Sequence, residues 1–82
     1  MLVKAQLATK IAELMKRRRM TQVQAASLFA MPQPKVSAML RGQFRGISED
    51  KMMRCLLALG QNVQIVVKPA RKGHSGALLV AA

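Results

Sequence analysis

Two prolines stand between two stretches of helical pattern, in the run Met31-Pro32-Gln33-Pro34-Lys35. Proline lacks a backbone N–H, and it disfavours the α conformation in the residue before it. Residues 22–41 therefore cannot form one continuous helix. The run TQVQAASLFA before the break places Ala25, Ala26 and Phe29 on one face, and VSAMLRG after it does the same with Val36, Met39 and Leu40. The pattern predicts two short helices, roughly 22–30 and 33–41, joined by a tight turn. Pro34 is tolerable in the first helical turn, where its N–H would be unpaired anyway. Gln33 then sits at the boundary, either as the N-cap or as the first helical residue.

The flanking sequence supplies more helices. Residues 2–19 carry Val3, Leu7, Ile11, Leu14 and Met15 at helical spacing. They end in Lys16-Arg17-Arg18-Arg19, cations that suit a helix C-terminus. Thr21 is a favourable N-cap for the helix that follows. Gly42 closes the third helix, and Phe44 or Ile47 is the expected anchor of the next loop. Ser48 can cap a fourth helix with Glu49 and Asp50 in its first turn. Met52, Met53, Leu56, Leu57 and Leu59 form its inner face, and Gly60 ends it. Cys55 lies among them and reads as a small buried hydrophobe.

Residues 62–68, NVQIVVK, change period. Val63, Ile65 and Val67 alternate, which predicts a strand. A single apolar strand leaves an unpaired edge. The favoured remedy is pairing with a second copy across a two-fold axis; the alternative is pairing with residues 1–4 of the same chain. The expected organisation is one domain over 1–69 and a flexible tail over 70–82.

Charge narrows the function. Fourteen Lys and Arg oppose three acids, for a net charge of +11. Such a surplus points to a polyanion, either nucleic acid or an anionic membrane surface; a merely solubilising surface is the plainer alternative. The first helix is basic and amphipathic, as a membrane binder requires, but it lacks Trp and Phe. Sequence-specific RNA readers stack bases on aromatics, and this chain has only two Phe. The lone cysteine fits a reducing compartment, no apolar run is long enough to span a bilayer, and Lys4 and Lys10 interrupt any signal-peptide core. A cytoplasmic protein is expected. With one histidine, His74, and no metal-ligand spacing or phosphate-cradling glycine loop, neither an enzyme nor a cofactor or metal is expected.

Capped short helices around a tight break, on a basic domain, form a helix-turn-helix arrangement. The segment TQVQAASLFAMPQPKVSAMLRG (21–42) resembles the Cro/repressor-type (Xre) helix-turn-helix family without gaps. Thr21-Gln22 matches the start of its second helix, and Ala26 its small contact residue. Met31 and Val36 match its apolar positions, and Arg41-Gly42 its close. Ala30 stands where the family usually has Gly, and Pro32 where it usually has a capping Ser, Thr or Asp. Over residues 5–69, the series MPQPKVSAMLRG, a helix ending LALG and NVQIVVKP is similar to the HigA-type antitoxin branch.

The resemblance implies a mainly α, lambda-repressor-like domain of four to five helices, with the C-terminal strand pairing across a homodimer. It implies a repressor of its own operon that binds a palindromic operator in double-stranded DNA and pairs with a ribonuclease toxin. A stand-alone Xre-type regulator without a toxin is the alternative. Gln33 aligns with the first base-reading position, and Lys35, Ser37 and Ala38 lie on or near the outward face. Gln22 aligns with a phosphate contact. Arg17, Arg18, Arg19 and Arg45 are phosphate candidates by charge. Lys35 is placed with Gln33, Ser37 and Ala38 as a base contact and Arg41 with the phosphate contacts, although either of the two could read a base or only neutralise a phosphate.

Overall fold

A computed structural model describes residues 2–65, 67 and 69. Among them are four helices: α1 Leu2–Arg17, α2 Gln22–Phe29, α3 Gln33–Leu40 and α4 Glu49–Ala58. α1 buries Val3, Leu7, Ala8, Ile11, Leu14 and Met15, one stripe at helical spacing, and packs chiefly against α4. α2 packs on α3 and α4, and α3 also touches α1. The centre of the core is Ile11, Val36, Met39, Met52, Cys55 and Leu59, all fully buried. Ile47 is buried and anchors the α3–α4 loop, while Phe44 only packs at the edge of the core.

Helix starts follow local chemistry. Thr21 forms a full capping box: its hydroxyl accepts from the Gln24 N–H at 3.1 Å, and the Gln24 side chain accepts from the Thr21 N–H at 2.9 Å. The Ser48 hydroxyl accepts from the Lys51 N–H at 3.0 Å, with Glu49 and Asp50 in the first turn of α4. α3 has no such cap. Pro32 is its N-cap residue, and only the Pro32 carbonyl serves the helix, accepting from the N–H groups of Lys35 and Val36. Gln33 is thus the first helical residue and not the cap, and Pro34 occupies the first turn. The local bias that Pro34 imposes on Gln33 is overridden.

Every helix ends in the same way. After α1, Met20 N–H reaches the Met15 carbonyl and Arg19 N–H the Lys16 carbonyl. The same double bond pattern closes α2 through Met31 and Ala30, α3 through Gln43 and Gly42, and α4 through Gln61 and Gly60. This pattern needs a left-handed residue at the bend. Gly42 and Gly60 supply it at the last two ends, with φ of 80° and 77°. Arg19 and Ala30 supply it at the first two, with φ of 53° and 52°, where a side chain makes that conformation costly. The left-handed turn at Arg19 also stops α1 at Arg17, two residues short of the expected end at 19.

Side chains reinforce these ends. The Lys51 ammonium donates to the Phe29 carbonyl at 2.7 Å, at the end of α2. The Arg18 guanidinium donates to the Leu59 carbonyl, tying the end of α1 to the end of α4. Cys55 is free and buried, 3.8 Å from the Met31 sulfur; burial pushes its thiol pKa up, so it stays protonated and inert.

The strand expected over 62–68 is not seen among the described residues: 62–65 and 67 make no strand pairing. Val66, Lys68 and the tail expected over 70–82 lie outside the described residues, apart from Pro69 before it. Pairing with residues 1–4 of the same chain is ruled out for 2–4, which belong to α1. Val63 is half-buried against the core, while Ile65 and Val67 are 71% and 91% exposed.

Candidate nucleic-acid interface

α3 is short, and its two faces differ sharply. Val36 and Met39 point into the core and are fully buried. Gln33, Pro34 and Lys35 are exposed, and Ser37 and Ala38 are half-buried. Gln33, Ser37 and Arg41 follow one another at four-residue intervals, which places them along one side of the helix. The core contacts of Val36 and Met39 fix which side that is.

The cations around this face are positioned by neutral acceptors. The Lys35 ammonium bends to the α3–α4 loop and donates to the Gly46 carbonyl at 3.1 Å. Gly46 has φ of 75°, and a Cβ there would come within 3.2 Å of that ammonium, so glycine suits both the backbone and the close approach. The Arg41 guanidinium donates to the Ser37 hydroxyl at 2.7 Å and to the Gln43 side-chain oxygen at 3.5 Å. Arg45 is exposed on the same loop.

The sequence around α3 is free of acids. No Asp or Glu occurs between Glu13 and Glu49, while that interval holds Lys16, Arg17, Arg18, Arg19, Lys35, Arg41 and Arg45. Among the described residues, ion pairs join Lys10 with Glu13 and Arg54 with Asp50; Glu13 lines a groove between α1 and the end of α3, with Leu40 and Gly42. Lys35, Arg41 and Arg45 form no ion pair among the described residues, so their charges are free to meet a phosphate backbone.

The sequence-derived candidates fall into three places. Gln33, Lys35, Ser37, Ala38, Arg41 and Arg45 gather on α3 and the adjoining loop. Gln22 is half-buried in the first turn of α2, beside the capped N-terminus. Arg17, Arg18 and Arg19 are exposed at the end of α1, where Arg18 is bonded to the end of α4 and not to α3. Gln43 and Gly46 had no place among the candidates. Both touch a candidate cation only through the folded loop. The sequence hint was slight: a polar residue two positions past Arg41 and a glycine after Arg45.

Among the described residues, no cluster of three or more His, Cys, Asp or Glu could hold a metal, and no helix is long and apolar enough to cross a membrane.

Comparison with known proteins agrees with this geometry. Residues 1–68 match the model of a helix-turn-helix domain family. A solved structure named as an XRE-family transcriptional regulator is 31% identical, with a TM-score of 0.85 over 99% of this chain and 91% of that one. No curated protein matches the chain. The chain belongs to the XRE-type helix-turn-helix family.

Proposed function

We propose that this protein is a sequence-specific DNA-binding transcriptional regulator whose α3 enters the major groove. The observation that carries the reading is the outer face of α3, where Gln33, Lys35, Ser37 and Arg41 gather with no acid near them in sequence. A major groove about 12 Å wide admits one helix, and the helix before it must hold the reader at a fixed angle. α2 fills that role, packed on α3 through a turn that two prolines and a left-handed Ala30 keep short. Gln33, Ser37 and Ala38 touch base edges; Gln suits adenine, Ser several bases, and Ala a thymine methyl. Lys35, Gln22, Arg45 and the cations at 17–19 meet phosphates, with Lys35 close enough to the groove face to read a base.

The working unit in this reading is a homodimer on a palindromic operator. Ile65 and Val67 are the most exposed large apolar side chains among the described residues, and they alternate with Val63. Pairing residues 62–68 with the same segment of a second copy would cover them and satisfy their backbone groups. The similarity of residues 5–69 to HigA-type antitoxins extends the reading further: an antitoxin in the cytoplasm that represses its own operon and neutralises a ribonuclease toxin.

An electrophoretic shift assay on the protein's own upstream DNA tests the DNA-binding reading. A discrete shifted band that survives excess unrelated duplex supports it, and binding that any duplex displaces equally contradicts it. The antitoxin part is tested by expressing the small reading frames adjoining the gene. Growth arrest relieved by co-expression of this protein supports it. No arrest from any of them leaves a stand-alone regulator.

A further inference from the structure

Among the described residues, Arg41 is the one cation at this face whose charged group contacts side chains on two sides. Arg41 is the C-cap residue of α3, and its guanidinium lies back over the turn that holds Ser37. There its Nη1 donates to the Ser37 hydroxyl at 2.7 Å, and its Nη2 lies 3.5 Å from the Gln43 side-chain oxygen. Gln43 is itself held in place, because its backbone N–H closes the end of α3 on the Ala38 carbonyl at 2.9 Å. The guanidinium is thus drawn toward the side of α3 that carries Ser37, with an oriented contact on each terminal nitrogen.

A phosphate contact needs only a mobile positive charge. A base contact needs a planar fork aimed in advance, because both N–H groups must meet the two acceptors of one base edge. Neutral acceptors are well suited to such aiming. They orient the fork without cancelling its charge, as a carboxylate would. The remaining N–H groups stay available, and guanine presents the matching pair of acceptors, O6 and N7, in the major groove.

We infer that Arg41 reads a guanine in the major groove, and that Ser37 and Gln43 are positioning residues that set the plane of its fork. The inference rests on the DNA-binding reading above. It makes Gln43, a residue outside the recognition helix, a determinant of specificity.

The test uses the full chain and a pool of duplex DNA with a randomised core, from which the wild type selects its preferred site. Arg41→Lys keeps the charge and removes the fork. It should leave the salt dependence unchanged and lower the preference for one G·C pair by about 5- to 150-fold. Gln43→Met, similar in length but without the acceptor, should weaken discrimination at that same pair. Gln43→Glu, which keeps an acceptor, should retain the preference while weakening overall binding. Arg41 and Gln43 are both exposed, so these variants should fold as the wild type does. A G·C preference that survives Arg41→Lys, or that Gln43→Met leaves intact, overturns the inference while the DNA-binding reading stands. A wild type that selects no sequence from the pool overturns both.

Discussion

Ala30 occupies the bend between α2 and α3 with φ of 52°, a conformation that Gly42 and Gly60 adopt at the ends of α3 and α4. A Cβ in the left-handed region costs roughly 1–2 kcal/mol, and glycine returns part of that as extra freedom in the unfolded chain. Ala30→Gly should therefore stabilise the domain by about 0.5–1 kcal/mol in urea unfolding. A destabilised variant would mean that the turn is not under strain. Gln33 lies two residues past Met31, exposed, at the first helical position. Gln33→Ala should lower discrimination at one base pair by about 1–3 kcal/mol, read from competition between operator variants. Uniform weakening on all DNA would remove Gln33 from the base readers. The residue scale is also where sequence was least informative. Whether Gln33 caps α3 or begins it turned on the Pro32 carbonyl taking the capping role, which no residue type announces. The grip on Arg41 depends on a loop that brings Gln43 back to α3, a placement that spacing alone does not specify.

At the scale of elements the sequence was far more legible. α2, α3 and α4 begin and end within about a residue of the expected bounds, because their signals are local: Thr21 and Ser48 as caps, Gly42 and Gly60 as stops, and apolar residues at helical spacing. α1 was misjudged only at its end, where the basic run suggested a continuing helix and Arg19 turned left-handed. The α3–α4 loop carries its own prediction. Lys35 and Arg45 flank it as cations without acidic partners nearby. If each neutralises one phosphate, Lys35→Ala and Arg45→Ala should each flatten the plot of log affinity against log salt by about one unit. An unchanged slope would place that residue outside the DNA contact. Lys35 also bonds the Gly46 carbonyl, so its replacement should loosen the loop as well, and amide exchange at residues 43–47 should quicken.

For the whole molecule, the unresolved economy is at the surface. The four helices bury one continuous core, yet Ile65 and Val67 stay exposed beyond the end of α4. The alternation of Val63, Ile65 and Val67 announced a strand, but a strand needs a partner, and none is present among the described residues. Local periodicity can suggest such an element, but only a pairing edge forms it, and the alternation does not say where that edge is. Ile65→Pro should abolish the proposed pairing and yield monomers in sedimentation; a persisting dimer would refer assembly to another surface.

The proposed two-fold pairing would also fix how two copies of α3 meet DNA, and this makes the central claim measurable in a single experiment. Selection by the full-length protein from a randomised duplex pool should return an inverted repeat. Its half-site centres should be about 34 Å apart, one helical turn. Recovery of such a site by the wild type, with one position losing its preference in Gln33→Ala, is the result this account predicts. A pool that stays random after repeated rounds, with binding that depends on salt alone, would contradict it.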